Sequence, residues 1–108
     1  MNDTIDALIR ECVLHIAENR LDRLNYLPGY STQSGLARVL AEIGSPVIPM
    51  PDGAIARLDV HKPSDDEDRW LVEFQLSTRD EQPSGWWLSL IVLKKDGRLV
   101  AYIDDLVY

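Results

Sequence analysis

Trp86-Trp87-Leu88-Ser89-Leu90-Ile91-Val92-Leu93-Lys94-Lys95-Asp96-Gly97-Arg98-Leu99-Val100-Ala101-Tyr102-Ile103-Asp104-Asp105-Leu106-Val107-Tyr108 is the stretch whose reading decides the fold. Two apolar, β-rich runs flank Asp96-Gly97, the pair that favours a tight hairpin turn. Both central residues of that turn need positive φ, which Asp tolerates and Gly adopts freely. A two-residue loop also fixes the register, so that Lys95 faces Arg98, Leu93 faces Val100, Ile91 faces Tyr102 and Trp87 faces Leu106. Trp86, Leu88, Leu90 and Val92 then share one face with Ala101, Ile103 and Val107. The opposite face carries Trp87, Ile91, Leu93, Val100, Tyr102, Leu106 and Tyr108. A bulge near Asp104-Asp105 would shift this phase, because Asp105 opposite Leu88 is an awkward core neighbour.

Upstream of the hairpin the period of two continues back to Ala54. Ala56, Leu58 and Val60 alternate with Arg57, Asp59 and His61; Trp70, Val72, Phe74 and Leu76 alternate with Leu71, Glu73, Gln75 and Ser77. Lys62 to Asp68 reads as an acidic loop and Thr78 to Gly85 as a polar one. Strands are therefore expected near 54–62, 69–77, 86–94 and 98–107. Before residue 54 the period is helical. Ile5, Leu8, Ile9, Cys12, Val13, Ile16 and Ala17 form an apolar stripe over 3–20, with Asp3 as N-cap and His15 off the stripe in solvent. Leu21, Leu24 and Leu27 either extend that helix or make a short second turn, and Leu27-Pro28-Gly29-Tyr30 breaks it. A second helix over about 32–43 takes Thr32 or Ser31 as its cap, Leu36, Val39, Leu40 and Ile43 as its stripe, and Gly44 as its stop. Pro46, Pro49 and Pro51 stiffen the connector that follows. The fold class this predicts is α+β, one domain over 1–108, with two N-terminal helices packed on one face of a four-stranded antiparallel meander sheet.

The bulk chemistry narrows function by exclusion. The 108 residues carry 11 Lys and Arg against 18 Asp and Glu, a net charge of −7. Nucleic acid needs a basic footprint, so no nucleic-acid partner is expected; a basic protein partner is compatible. No run of about 18 apolar residues is present, so no membrane is expected as a partner. The N-terminus lacks the basic and apolar regions of a secretion signal, and the single Cys12 forbids an internal disulfide, so a cytoplasmic location is expected. Cys12 lies in the helical stripe and reads as core, not as a nucleophile. Asp59, His61 and Glu73 share the polar half of the outer sheet face, but no spacing motif makes them a metal or acid–base site. Asp65, Asp66, Glu67 and Asp68 lack the alternating ligands and central Gly of a calcium loop. No catalytic residue, no metal and no cofactor are expected.

Several of these motifs together resemble a known group. Ser31 to Gly44, Pro49-Met50-Pro51, Leu58-Asp59-Val60, Trp70-Leu71-Val72-Glu73-Phe74-Gln75-Leu76, Leu88-Ser89-Leu90 and Ile103-Asp104-Asp105-Leu106-Val107 look like a family of small acidic bacterial proteins of unknown function. Its members share a helical N-terminal half, a second strand that starts with Trp and a near-terminal Ile-Asp-Asp. They carry an acidic, polar run before the third strand, where this chain has Ser84-Gly85-Trp86-Trp87. The layout is also similar to cystatin-like and nuclear-transport-factor-like cones and to immunity proteins of bacterial toxin systems. None of these resemblances carries over a catalytic residue.

The expectation that follows is a non-enzymatic protein-binding module of the immunity or inhibitor type that masks a basic partner. Its binding residues would be Trp87, Ile91, Tyr102, Leu106 and Tyr108, because aromatic side chains are preferred interface anchors and an apolar outer face calls for a cover. Segment 21–31 or the proline connector could instead supply that cover and make the face ordinary core. A small-ligand or enzymatic cone, and a homodimer through the same face, are the other readings.

Overall fold

A computed structural model describes residues 5–51, 59–61 and 68–108. Helix α1 spans Ile5–Ala17 and buries Ile9, Cys12, Val13 and Ile16, the expected stripe; the expected cap Asp3 lies outside the described residues. After a 3₁₀ turn at Leu21–Arg23 comes a two-residue strand, β1, Asn25–Tyr26. Helix α2, Gln33–Ile43, starts where Thr32 accepts a hydrogen bond from Gly35 N at 3.0 Å and stops at Gly44, whose φ is 77°. Strands β2 (Asp59–His61), β3 (Arg69–Gln75), β4 (Trp87–Lys95) and β5 (Arg98–Val107) complete the chain. The remainder of the strand expected over 54–62 lies outside the described residues.

The α+β class holds, and the architecture expected within it needs correction. The sheet has five strands in the order β1-β5-β4-β3-β2, and it is mixed. The meander β2-β3-β4-β5 is antiparallel, but β1 joins β5 in parallel, Asn25 opposite Tyr102 and Tyr26 opposite Ile103. The helices are thus separated by a strand and do not form a purely helical N-terminal layer. Segment 21–31 neither extends α1 nor crosses the outer sheet face: it pairs with the edge of β5. Asn25 Nδ2 donates to Ala101 O at 3.3 Å, and Ser31 Oγ donates to Ile103 O at 2.8 Å while accepting from Leu27 N at 2.8 Å. These side chains do for β5 what a longer strand would do with its backbone.

The proline connector runs along the end of β3. Val47 bridges to Thr78, Ile48 N donates to Ser77 O at 3.0 Å, and Arg79 N donates to Pro46 O at 2.9 Å. The polar stretch after β3 is also more ordered than an exposed loop. Ser77, Thr78 and Ser84 are buried, and Ser84 Oγ donates to Leu76 O at 2.7 Å while accepting from Trp86 N at 3.1 Å. The core lies between the helices and one sheet face: Ile9, Val13 and Ile16 of α1, Leu21, Leu24, and Leu36 of α2 meet Val72, Phe74, Leu88, Leu90, Val92, Ala101, Ile103 and Leu106. His15 corrects another expectation. Its side chain is only 14% exposed, with Nε2 3.5 Å from Glu11 Oε1, so it borders the core instead of standing in water.

Candidate functional site

The hairpin turn forms as its residues require, with φ of 51° at Asp96 and 78° at Gly97. From there the register matches the sequence expectation as far as Leu90 opposite Ile103, and then shifts between Ser89 and Leu90. Asp104 is the extra residue. Beyond it Ser89 faces Asp105, Leu88 faces Leu106 and Trp87 faces Val107. The bulge keeps both carboxylates out of the core and puts Leu106 into it, at 6% exposure. Leu106 therefore leaves the outer face on which it was expected. Tyr108 leaves it too: its ring meets Trp86 edge-on, centroids 5.2 Å apart, and lies against Gly85, where a Cβ would sit 2.7 Å from Tyr108 Cε1. Only a residue without a side chain allows that approach.

Three of the expected residues remain on the outer face, in different surroundings. Reading across β3, β4 and β5, one row is Gln75–Trp87–Val107 and the next is Glu73–Ser89–Asp105, which Asp59 of β2 extends. The middle row runs His61–Leu71–Ile91–Tyr102–Asn25. Then come Arg69–Leu93–Val100 and, beside the turn, Lys95–Arg98. Ile91 is 7% exposed within this middle row and outside the helix-facing core. Lys95 folds back over Tyr102, its Nζ 2.9 Å from the phenol oxygen and 5.2 Å from the ring centroid. On the outer face the large apolar side chains left exposed are Trp87 (37%) and Val107 (48%), at the end far from the turn, and Tyr108, 84% exposed, stands beside that end against Trp86. Carboxylates border that end and cations the turn end. Of the polar trio, His61 Nε2 lies 3.3 Å from Glu73 Oε1, and Asp59 faces Glu73 across the strands. Among the described residues no group of three or more His, Cys, Asp and Glu side chains is arranged to hold a metal.

Two open grooves flank the sheet on the β1 side. One, about 220 Å³, is lined by Leu8, Cys12, His15, Arg23, Leu24 and Ala101 among others. Its thiol is poor chemistry: burial, helped by Glu11, pushes Cys12 up to about 12. The other, about 310 Å³, lies between α2 and the β5 bulge and includes Tyr30, Arg38, Ile103, Asp104 and Asp105. The charge of Asp104 beside it raises the Tyr30 phenol above its ordinary value. Sequence reasoning missed this groove because its two walls lie far apart in the chain; the only local signal was the Asp104-Asp105 pair that forces the bulge. No family description, curated protein or solved structure matches the chain.

Proposed function

We propose that this chain is a non-enzymatic protein-binding module of the immunity or inhibitor type, which masks a basic partner protein with the outer face of its sheet. The observation that carries this is Trp87, held on the outer face at the end where carboxylates gather. Its row neighbours are Gln75 and Val107, and the adjoining row supplies Asp59, Glu73 and Asp105. An exposed indole beside carboxylates suits a cationic side chain, which can stack on the ring while its charge is met at the rim. The net charge of −7 favours encounter with a basic protein.

The test is titration of the chain against purified, strongly basic bacterial nuclease domains, with acidic domains as controls, alongside urea melts. Trp87→Ser should cost folding about 1–2 kcal/mol, because the indole is only 37% exposed and its cross-strand cover is lost. It should weaken association by about 2 kcal/mol, as for a central aromatic anchor. A variant that loses several kcal/mol of stability and leaves association untouched would show that Trp87 serves the fold alone. Binding of acidic and basic domains alike would remove the charge argument. Sedimentation of the chain alone reports whether a second copy takes this face instead.

A further inference from the structure

We infer a second binding site, on the edge of β5 and centred away from Trp87, sharing only Asp105 with the outer face: a groove that accepts an extended peptide as an added strand. In parallel with β5, β1 reaches only Tyr102 and Ile103. From Asp104 to Val107, β5 pairs with β4 on one side and, among the described residues, with no strand on the other. A strand edge left open in this way carries backbone donors and acceptors that a further chain can use.

Three observations give that edge a ligand. First, the edge forms one wall of the groove of about 310 Å³, and α2 forms the other with Gly35, Leu36, Arg38 and Val39. A strand lying between a sheet edge and a helix can point alternate side chains inward and outward. Inward, Leu36, Val39, Ile103 and Leu106 offer an apolar floor. Second, the open-edge N–H of Leu106 is already hydrogen-bonded, but to its neighbour's side chain: Leu106 N donates to Asp105 Oδ1 at 2.9 Å. The carboxylate oxygen stands where the carbonyl of an added strand would come, so the backbone donor is directed into the groove and held by a group that can turn away. Third, the bulge places Asp104 and Asp105 together beside the groove, against the single cation Arg38 among its lining residues. The ligand is therefore an extended peptide that alternates apolar and basic residues, with the apolar ones over Leu36 and Leu106 and the basic ones at Asp104 and Asp105.

A blocked hexapeptide of alternating Lys and Val is a suitable probe, titrated into the uniformly ¹⁵N-labelled chain. Saturable shifts should centre on the amides of Leu36, Asp104 and Leu106. N-methylation of alternate peptide bonds, which removes edge hydrogen bonds and keeps the side chains, should weaken binding about ten-fold. A Glu–Val peptide should bind still more weakly. Val39→Arg, which fills the floor from α2, should abolish the shifts in a variant whose spectrum and melting remain native. Trp87→Ser should leave them unchanged, which separates this site from the one on the outer face. Equal binding of the N-methylated peptide, or shifts that survive Val39→Arg, would overturn the proposal. So would the same shifts on concentrating the protein alone, since a second copy would then occupy the edge.

Discussion

Cys12 shows how burial sets the chemistry of a single residue. The thiol is packed among Ile9, Val13 and Ile16 and its pKa rises from 9.0 to about 12, chiefly by desolvation. A thiol reagent at neutral pH should therefore label the native chain only as fast as it opens, and promptly in denaturant; rapid native labelling would contradict the burial. The same shift has an alkaline consequence. Between pH 9 and about 12 the native state keeps a proton that the unfolded chain has released, so stability falls as pH rises through that window. Burial of Tyr26, with Asp22 adding to it, raises that phenol too and acts with the same sign. Cys12→Ala should flatten the decline in urea melts taken across this range; an unchanged slope would assign it to other groups. The core position of Cys12 was legible in the sequence because helical spacing alone puts it on the stripe. That of His15 was not, because the chain that packs beside α1 comes from β5 and the 3₁₀ turn, far along the sequence or outside any period.

Among the elements, those with a local cause could be read and those held by distant partners could not. The hairpin, the Thr32 cap and the Gly44 stop each follow from two or three adjacent residues. The parallel strand β1 has no such signature: two residues cannot express a period, and Asn25 is secured by an acceptor 76 positions away. The phase of β5 could be read only as alternatives. Alternation alone put Leu106 outside, and the cost of burying Asp105 opposite Leu88 argued for the bulge that forms. The stretch from Thr78 to Gly85 reads as a polar loop from its composition, yet Thr78 and Ser84 are buried and their hydroxyls satisfy backbone groups of Glu81, Leu76 and Trp86. Ser84→Ala leaves the Trp86 N–H without the acceptor it has at 3.1 Å and should cost about 1–3 kcal/mol in urea melts. Ser89→Ala, at a half-buried outer position whose hydroxyl lies 3.5 Å from Asp105 O, should cost no more than about 0.5 kcal/mol. Equal costs would mean that the Ser84 network contributes nothing special.

For the molecule as a whole, the net charge of −7 is a load as well as a means of steering. Like charges on a small body repel, and salt screens them, with a Debye length of about 30 Å at 0.01 M falling to about 10 Å at 0.1 M. The melting temperature at pH 7 should therefore rise by a few degrees over that range of sodium chloride. Near the isoelectric point of 4.6 the rise should disappear; an equal rise at both pH values would rule out self-repulsion as its cause. A last consequence comes from the place of β5, which sits between β1 and β4 although it follows every other described element in the chain. During synthesis the ribosome releases α1, β1 and α2 long before the strand on which they rest. Until Arg98–Val107 emerges, the nascent chain carries Ile9, Val13, Ile16 and Leu36 without the wall that covers them, and β4 has an open side. Folding is then timed by the arrival of one strand, and a nascent chain stalled at Lys95 should remain open to chaperones and proteases while one that has cleared Val107 should not.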